Sequence, residues 1–251
     1  MTSLLDIENL TCRFGALVAL DRVSLSVSEN EVVALLGDNG AGKSTLIKAV
    51  AGVHAPTSGT IKVQGRTVVI RHPADAMKLG IETIHQDSSL ALDLSVSRNL
   101  FLGREPTNLS WLGALAPIDF EKMLEPAQGL LERVGISKKL DPSRSVASLS
   151  GGERQAISIA RAMHFLAKLI ILDEPTNNLG VEETYGVLRF IEEASSRGRS
   201  ILLVTHNIHH VMKVCDRAVV MRRGRVVVER RIDETSIGQL ENDIMGIEGV
   251  N

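Results

Sequence analysis

Aromatic residues are scarce in this 251-residue chain: five Phe, one Trp and one Tyr, 3% in all. So few rings cannot assemble the stacking platform on which a single-stranded nucleic acid is held. Cysteine is scarcer still. Cys12 and Cys215 lie far apart and form no Cys-x-x-Cys, which argues against a zinc site or a redox motif and suits a reducing compartment. Neither sign of charge prevails, since 28 Lys and Arg against 30 Asp and Glu leave a formal net charge of −2, without the basic excess of a nucleic-acid binder. No apolar run reaches about 18 residues, so no segment reads as a membrane span. The opening Met1-Thr2-Ser3-Leu4-Leu5-Asp6 lacks the charged and apolar regions of a secretory signal. The expectation is a globular protein made and kept in the cytoplasm, with room for one large core or a core plus a smaller subdomain.

What is present is a rhythm. From Leu4 to Val27 short apolar–polar alternation, broken at Arg13-Phe14-Gly15, reads as a small antiparallel β element. Glu31 to Leu36 is a buried-strand run that feeds a glycine loop, and Thr45 to Ala51 then reads as helix. Thr60–Val63 and Gly80–His85 read as further strands, the second ending at Gln86. From 88 to about 165 helical spacing takes over, at Met123, Leu124, Ala127, Leu130, Leu131 and Val134, and Glu105 to Pro117 is the least ordered-looking stretch. After that, Leu169–Leu172 and Ser200–Val204 are continuous apolar runs, as expected of parallel strands covered on both faces, with a crossover helix over Val181–Arg197 between them. Ala218–Met221 and Val226–Val228, split by Gly224, read as a closing hairpin. The predicted fold class is α/β. A mostly parallel sheet occupies about 1–87 and 166–251, with an N-terminal antiparallel β element and a helical subdomain inserted at about 88–165.

Gly37-Asp38-Asn39-Gly40-Ala41-Gly42-Lys43-Ser44 has the spacing G-x-x-x-x-G-K-[ST], between a strand and a helix as a phosphate-cradling loop requires. Its glycines let backbone N–H groups approach a triphosphate, its lysine reaches the β- and γ-phosphates, and its hydroxyl can ligate Mg²⁺. Composition alone produces such a loop in roughly one chain of this length in a hundred. Leu149-Ser150-Gly151-Gly152-Glu153 is rarer by chance, on the order of one chain in a thousand or fewer. Asp173-Glu174 leaves the end of a hydrophobic strand, where ligands of α/β sheets bind, although alone such a pair is more often a helix cap or a solvated corner. Gln86 and His206 each follow a strand run, positions at which a lone Gln or His is usually structural. His209 and His210, beside His206, have no carboxylate or cysteine at ligand spacing and read as helix surface. Phe14 is open to two readings, a hydrophobic corner or a ring that stacks on a base.

Taken together, these motifs resemble the ATP-binding-cassette (ABC) ATPases, a family of P-loop NTPases, from about Leu4 to about Met245. The resemblance implies ATP and Mg²⁺ as cofactors and hydrolysis of ATP as the activity. It implies that Gly37, Asp38, Asn39, Gly40, Ala41, Gly42 and Lys43 surround the phosphates, that Ser44 ligates Mg²⁺, that Thr45 lies near the α-phosphate, and that Phe14 stacks on adenine. Asp173 matches the family's Mg²⁺ partner and Glu174 its general base. Gln86 matches the lid glutamine that senses the metal and the attacking water, and His206 the histidine that contacts the γ-phosphate. Two cassettes in this family dock head to tail, so Ser150, Gly151 and Gly152 would complete the partner's site. One departure stands out: Asn177-Asn178-Leu179-Gly180 has glycine where the family usually has aspartate, an ending also familiar in cassettes of monosaccharide importers.

Gln86 to Val96, Asn99 to Glu105 and Met221 to Val227 are similar to bacterial importers of the ribose, xylose and fructose kind. The expected function is therefore the ATP-hydrolysing subunit of a bacterial monosaccharide importer, peripheral on the cytoplasmic face of the inner membrane. Its partners would be transmembrane permease subunits, an extracytoplasmic sugar-binding protein acting indirectly, and a second cassette; nucleic acid is not among them. A rival reading is a soluble ABC ATPase acting on DNA or ribosomes. Such proteins usually carry paired cassettes, long coiled coils or basic extensions, and this sequence has none. A third is a regulatory subunit that binds nucleotide without turnover, against which an intact Glu174 argues.

Overall fold

The computed structural model describes residues 3–84, 90–103, 105–108, 111, 116–133, 140–164, 167–177 and 179–247. Contacts divide the chain into two units, Met1–Gln86 with Ala167–Pro175 and Ile191–Asn251, and Asp87–Leu166 with Thr176–Phe190. Sequence rhythm places 176–190 with the α/β core, whereas packing groups it with the helical residues. In chain order the described elements begin with β1 (Ser3–Phe14), β2 (Leu17–Ser28), β3 (Val32–Leu36), α1 (Lys43–Val50), β4 (Ser58–Val63), β5 (Arg66–Val68), α2 (Pro73–Lys78) and β6 (Ile81–Ile84). Next come α3 (Val96–Leu100), α4 (Glu121–Arg133), α5 (Gly151–His164), β7 (Leu169–Asp173) and α6 (Val181–Ser196). The chain ends through β8 (Ser200–Val204), α7 (Ile208–Val214), β9 (Arg217–Arg222), β10 (Arg225–Arg231) and α8 (Ile237–Met245).

The first unit holds two sheets. β1 and β2 form an antiparallel hairpin, and the four-stranded sheet has the order β2-β1-β4-β5. The second sheet has six strands in the order β10-β9-β3-β8-β7-β6, parallel except for β10, which runs antiparallel to β9. Every residue of β3 and of β8 is buried, because parallel strands are covered on both faces; this is why their sequences are unbroken apolar runs without alternation. Leu35, Leu46, Ile47, Ile171, Leu202, Val204 and Val219 belong to one core that ties α1 to this sheet. At the start of β3, Arg217 reaches Glu31 at 2.8 Å, the Ser28 N–H donates to the same carboxylate at 2.8 Å, and the Val32 N–H donates to Asp216 at 2.8 Å. Burial alone would raise the Glu31 carboxyl, but the Arg217 guanidinium and the Ser28 N–H outweigh it and hold the group below its ordinary value. Cys12 and Cys215 are both buried and free, with their thiols pushed up by burial.

The second unit has its own core, in which Val96, Leu100, Met123, Ala127, Leu130, Leu131, Ile157 and Ala160 from α3, α4 and α5 meet. Asn99 is fully buried there. Its amide donates to the carbonyls of Ala91 and Ser95 and accepts the Ala91 N–H, which fastens the preceding loop onto α3. Leu124, expected on the apolar face of α4, is instead exposed, and Val134 lies outside the described residues. The weakly patterned stretch before α4 closes on itself: Asn108 N–H donates to Pro117 O at 2.9 Å and Asp119 N–H to Pro106 O at 2.8 Å. Trp111, the single tryptophan, is 78% exposed. Among the described residues no helix is long and apolar enough to cross a membrane.

Candidate active site

Register brings the predicted residues to one sheet edge. Leu35 of β3 and Asp173 of β7 both pair with Val204 of β8, so the three strands end at one level. Gly37, Glu174 and His206 follow from those ends, at the carboxyl edge where α/β sheets bind their ligands. β6 is the next strand, with Ile84 opposite Leu172; Gln86, predicted just beyond it, lies outside the described residues.

The glycine loop adopts a backbone that glycine takes readily. Gly37, Gly40 and Gly42 have φ of 144°, 80° and 105°, a region open to glycine and strained for other residues. Space behind the loop is also closed. A Cβ on Gly37 would run into the carbonyl oxygen of Met221, and one on Gly42 would lie 2.9 Å from both Ala19 O and Leu20 Cδ2. Asp38, Asn39 and Gly40 are exposed at the loop's tip, and Ala41 N–H closes the turn onto Asp38 O at 3.1 Å. α1 starts behind Gly42 with no side-chain cap and no acidic residue in its first turn. Its orphan N–H groups and the positive end of its dipole thus remain for an anion. Ser44 is exposed on that turn and Thr45 is half-buried. Lys43 is only 9% exposed, with its ammonium 2.5 Å from Gly37 O and 3.0 Å from Asp38 O. Burial lowers its pKa from the ordinary lysine value, while Glu174, Asp38 and Asp173 oppose that shift, so both strand-end carboxylates act on this amine.

Glu174 turns sharply as it leaves β7. Its φ is 50°, rare for a residue with a side chain, and its N–H donates to Val204 O at 2.8 Å. The carboxylate lies 3.0 Å from Nδ1 of His206; the glutamate side chain is 15% exposed and the histidine 69%. Asp173, one residue earlier, is half-buried. A cation, a hydroxyl-bearing helix start, two carboxylates and an imidazole therefore share one edge, a set suited to a phosphate chain and a water.

A family model described as ABC transporter matches residues 20–177, more than half of the chain. The chain belongs to the ABC transporter family. The cassette is 43% identical over 240 residues to the xylose/arabinose import ATP-binding protein of Sulfolobus acidocaldarius, covering 96% of this chain and 93% of that protein. It is 39% identical over 223 residues to the fructose import ATP-binding protein of Rhizobium meliloti, covering 88% and 86%. Among solved structures it is similar to an ATP-binding cassette of an ABC transporter in its ADP conformation, with a TM-score of 0.80, 26% identity and coverage of 98% and 96%. It is an ABC transporter ATPase, which binds ATP or ADP and hydrolyses ATP to energise transport.

Phe14 ends β1, 46% exposed, with His54 packed edge to face against it at 5.3 Å between ring centres. Ser150, Gly151 and Gly152 belong to the second unit, where Gly151 begins α5. Ser150 and Glu153 cap that helix reciprocally: Ser150 N–H donates to the glutamate at 2.8 Å and Glu153 N–H to the serine Oγ at 3.3 Å. Sequence reading did not identify His54 or the residues that back the loop, Met221, Ala19 and Leu20. The only local signal for the last group is Gly224, which breaks the closing hairpin.

Proposed function

We propose that this ATPase is the cassette of a monosaccharide importer and works as one of two cassettes on a transmembrane permease, on the cytoplasmic face of the membrane. The catalytic part is carried by one observation, the Glu174–His206 pair at the edge from which the glycine loop leaves. The sugar class is supported by the two import relatives, which this chain matches along nearly its full length. In this reading the loop from Gly37 to Gly42 and Lys43 cradle the β- and γ-phosphates, Thr45 lies near the α-phosphate, and Phe14 stacks on adenine. Ser44 and Asp173 offer oxygen donors, the kind Mg²⁺ takes, and the exposed Ser44 hydroxyl and the half-buried carboxylate suit that ion. Bound there, Mg²⁺ would neutralise charge on the phosphate oxygens. Glu174 takes a proton from the attacking water as its oxygen joins the γ-phosphorus and ADP leaves, and His206 holds the carboxylate through Nδ1. Gln86 serves as the lid residue toward metal and water. Ser150, Gly151 and Gly152 complete the site of a second cassette.

Two measurements test this. Glu174→Gln should lower ATP turnover by about 10²–10⁴-fold and leave ATP bound, because the cradle survives; a parental rate would overturn the assignment. Tagged chain recovered from membranes should carry a permease, and the reconstituted complex should raise its ATPase rate when a sugar-loaded binding protein is added. Recovery with nucleic acid or ribosomes instead would favour the soluble reading.

A further inference from the structure

The turn between β9 and β10 touches the phosphate loop more closely than any local pattern foretells. Gly224 N–H donates to Ala41 O at 2.9 Å, and Gly224 O accepts the Asp21 N–H of β2 at 2.8 Å. The next residue, Arg225, grips the Asp21 carboxylate with Nε at 3.0 Å and with Nη2. Three residues before Gly224, the Met221 carbonyl closes the space behind Gly37. A Cβ on Gly42 would lie 3.3 Å from the Gly224 Cα, and a Cβ on Gly224 would lie 2.7 Å from Ala19 O. Both ends of the loop are therefore backed by one hairpin.

The peptide plane says what this contact does. In a trans peptide the carbonyl of Ala41 and the N–H of Gly42 point in opposite directions. Holding the Ala41 carbonyl from behind aims the Gly42 N–H forward, out of the loop's inner face. Donors fixed before a ligand arrives need no reorganisation when it does. We infer that the β9–β10 turn, through Gly224 and the Asp21–Arg225 pair, is a positioning device that aims the Gly42 N–H at a nucleotide phosphate. The inference rests on the reading that loop 37–44 holds the phosphates.

ADP titrated into the purified full chain, followed by calorimetry, is the test, with unfolding curves recorded without nucleotide. Gly65 is the control: its φ of 73° matches the 76° of Gly224, and a Cβ there meets nothing within 4 Å. Gly224→Ala should weaken ADP binding by about tenfold or more, the worth of one hydrogen bond to a charged group, while Gly65→Ala should stay within about twofold of the parent. Equal affinities for the two alanine variants would overturn the device. Should Gly224→Ala fail to unfold cooperatively, Arg225→Ala decides, because it removes an exposed ion pair and leaves the backbone intact. A drop in ADP affinity that Arg225→Lys partly restores supports the inference, and parental affinity sinks it. Lys43→Ala separates the layers: unchanged affinity there would remove the phosphate reading and the device with it, whereas a loss there with a parental Gly224→Ala removes the device alone.

Discussion

Helices α1 and α5 each have a glycine at their start, Gly42 as the cap of α1 and Gly151 as the first residue of α5, and they begin differently. α1 has a glycine N-cap at φ 105°, no capping side chain and no acid in its first turn, and backbone from β2 and from the β9–β10 turn closes the space behind it. α5 has a reciprocal Ser150–Glu153 cap, and a Cβ on Gly151 would meet nothing within 4 Å. The first start is closed from behind and has no side-chain cap on its donors. The second satisfies two donors from its own side chains and presents an open glycine. An anion at α1 therefore meets a prepared site, whereas one at α5 must share the cap. In the proposed reading, this separates a primary phosphate cradle from a surface that completes a site made elsewhere.

Mixing experiments give the largest effect. Lys43→Ala and Ser150→Arg chains should each lose ATPase activity almost wholly, and mixing them should restore part of it if Ser150 serves the partner's nucleotide. A mixture as inactive as its components, beside an active linked dimer with both lesions in one chain, would place Ser150 in its own subunit's site. Next in size, Gly42→Ala should cost about 3 kcal/mol in urea unfolding, from backbone strain and the contacts with Ala19 and Leu20. Gly151→Ala should stay within about 0.5 kcal/mol, and a large loss there would erase the contrast.

Acid tests the root of the strand that carries the α1 loop. Glu31→Gln should lower stability by about 2 kcal/mol at pH 7, since it takes a carboxylate from Arg217 and Ser28. The folded carboxyl titrates below its unfolded value, so the pair's contribution is complete above the unfolded value and vanishes as pH falls through the folded one. Wild type and variant should accordingly converge only once pH has fallen well below the ordinary glutamate value of about 4.3. Smaller than this, Ser150→Ala should cost about 1 kcal/mol, an ordinary cap loss, without altering the ADP affinity of an isolated chain.

Much of the architecture was legible because the decisive strands are short, unbroken apolar runs. β3, β7 and β8 could be read from Glu31–Leu36, Leu169–Leu172 and Ser200–Val204, and the glycine loop from its spacing. The helix over 123–131 was legible too, but spacing alone does not mark the edge of an apolar face, so Leu124 was assigned inward. α2 escaped notice because it is six residues long and capped by His72 with Asp75, a box whose first member is not among the usual capping residues. α8 carries ordinary helix signals, Ser236 before it and Gly246 after it. What no local pattern could show is the rear of the loop. Gly37 and Gly42 advertise their freedom in φ, but the carbonyl of Met221 and the turn at Gly224 come from the far end of the chain.

Trp111 has a practical consequence. A chain with one tryptophan has one dominant ultraviolet fluorophore, and here it sits well exposed in the second unit, whereas the glycine loop and both strand-end acids sit in the first. Its emission should be red-shifted and readily quenched by iodide. A colour change on adding nucleotide would thus report a change in the surroundings of this one ring.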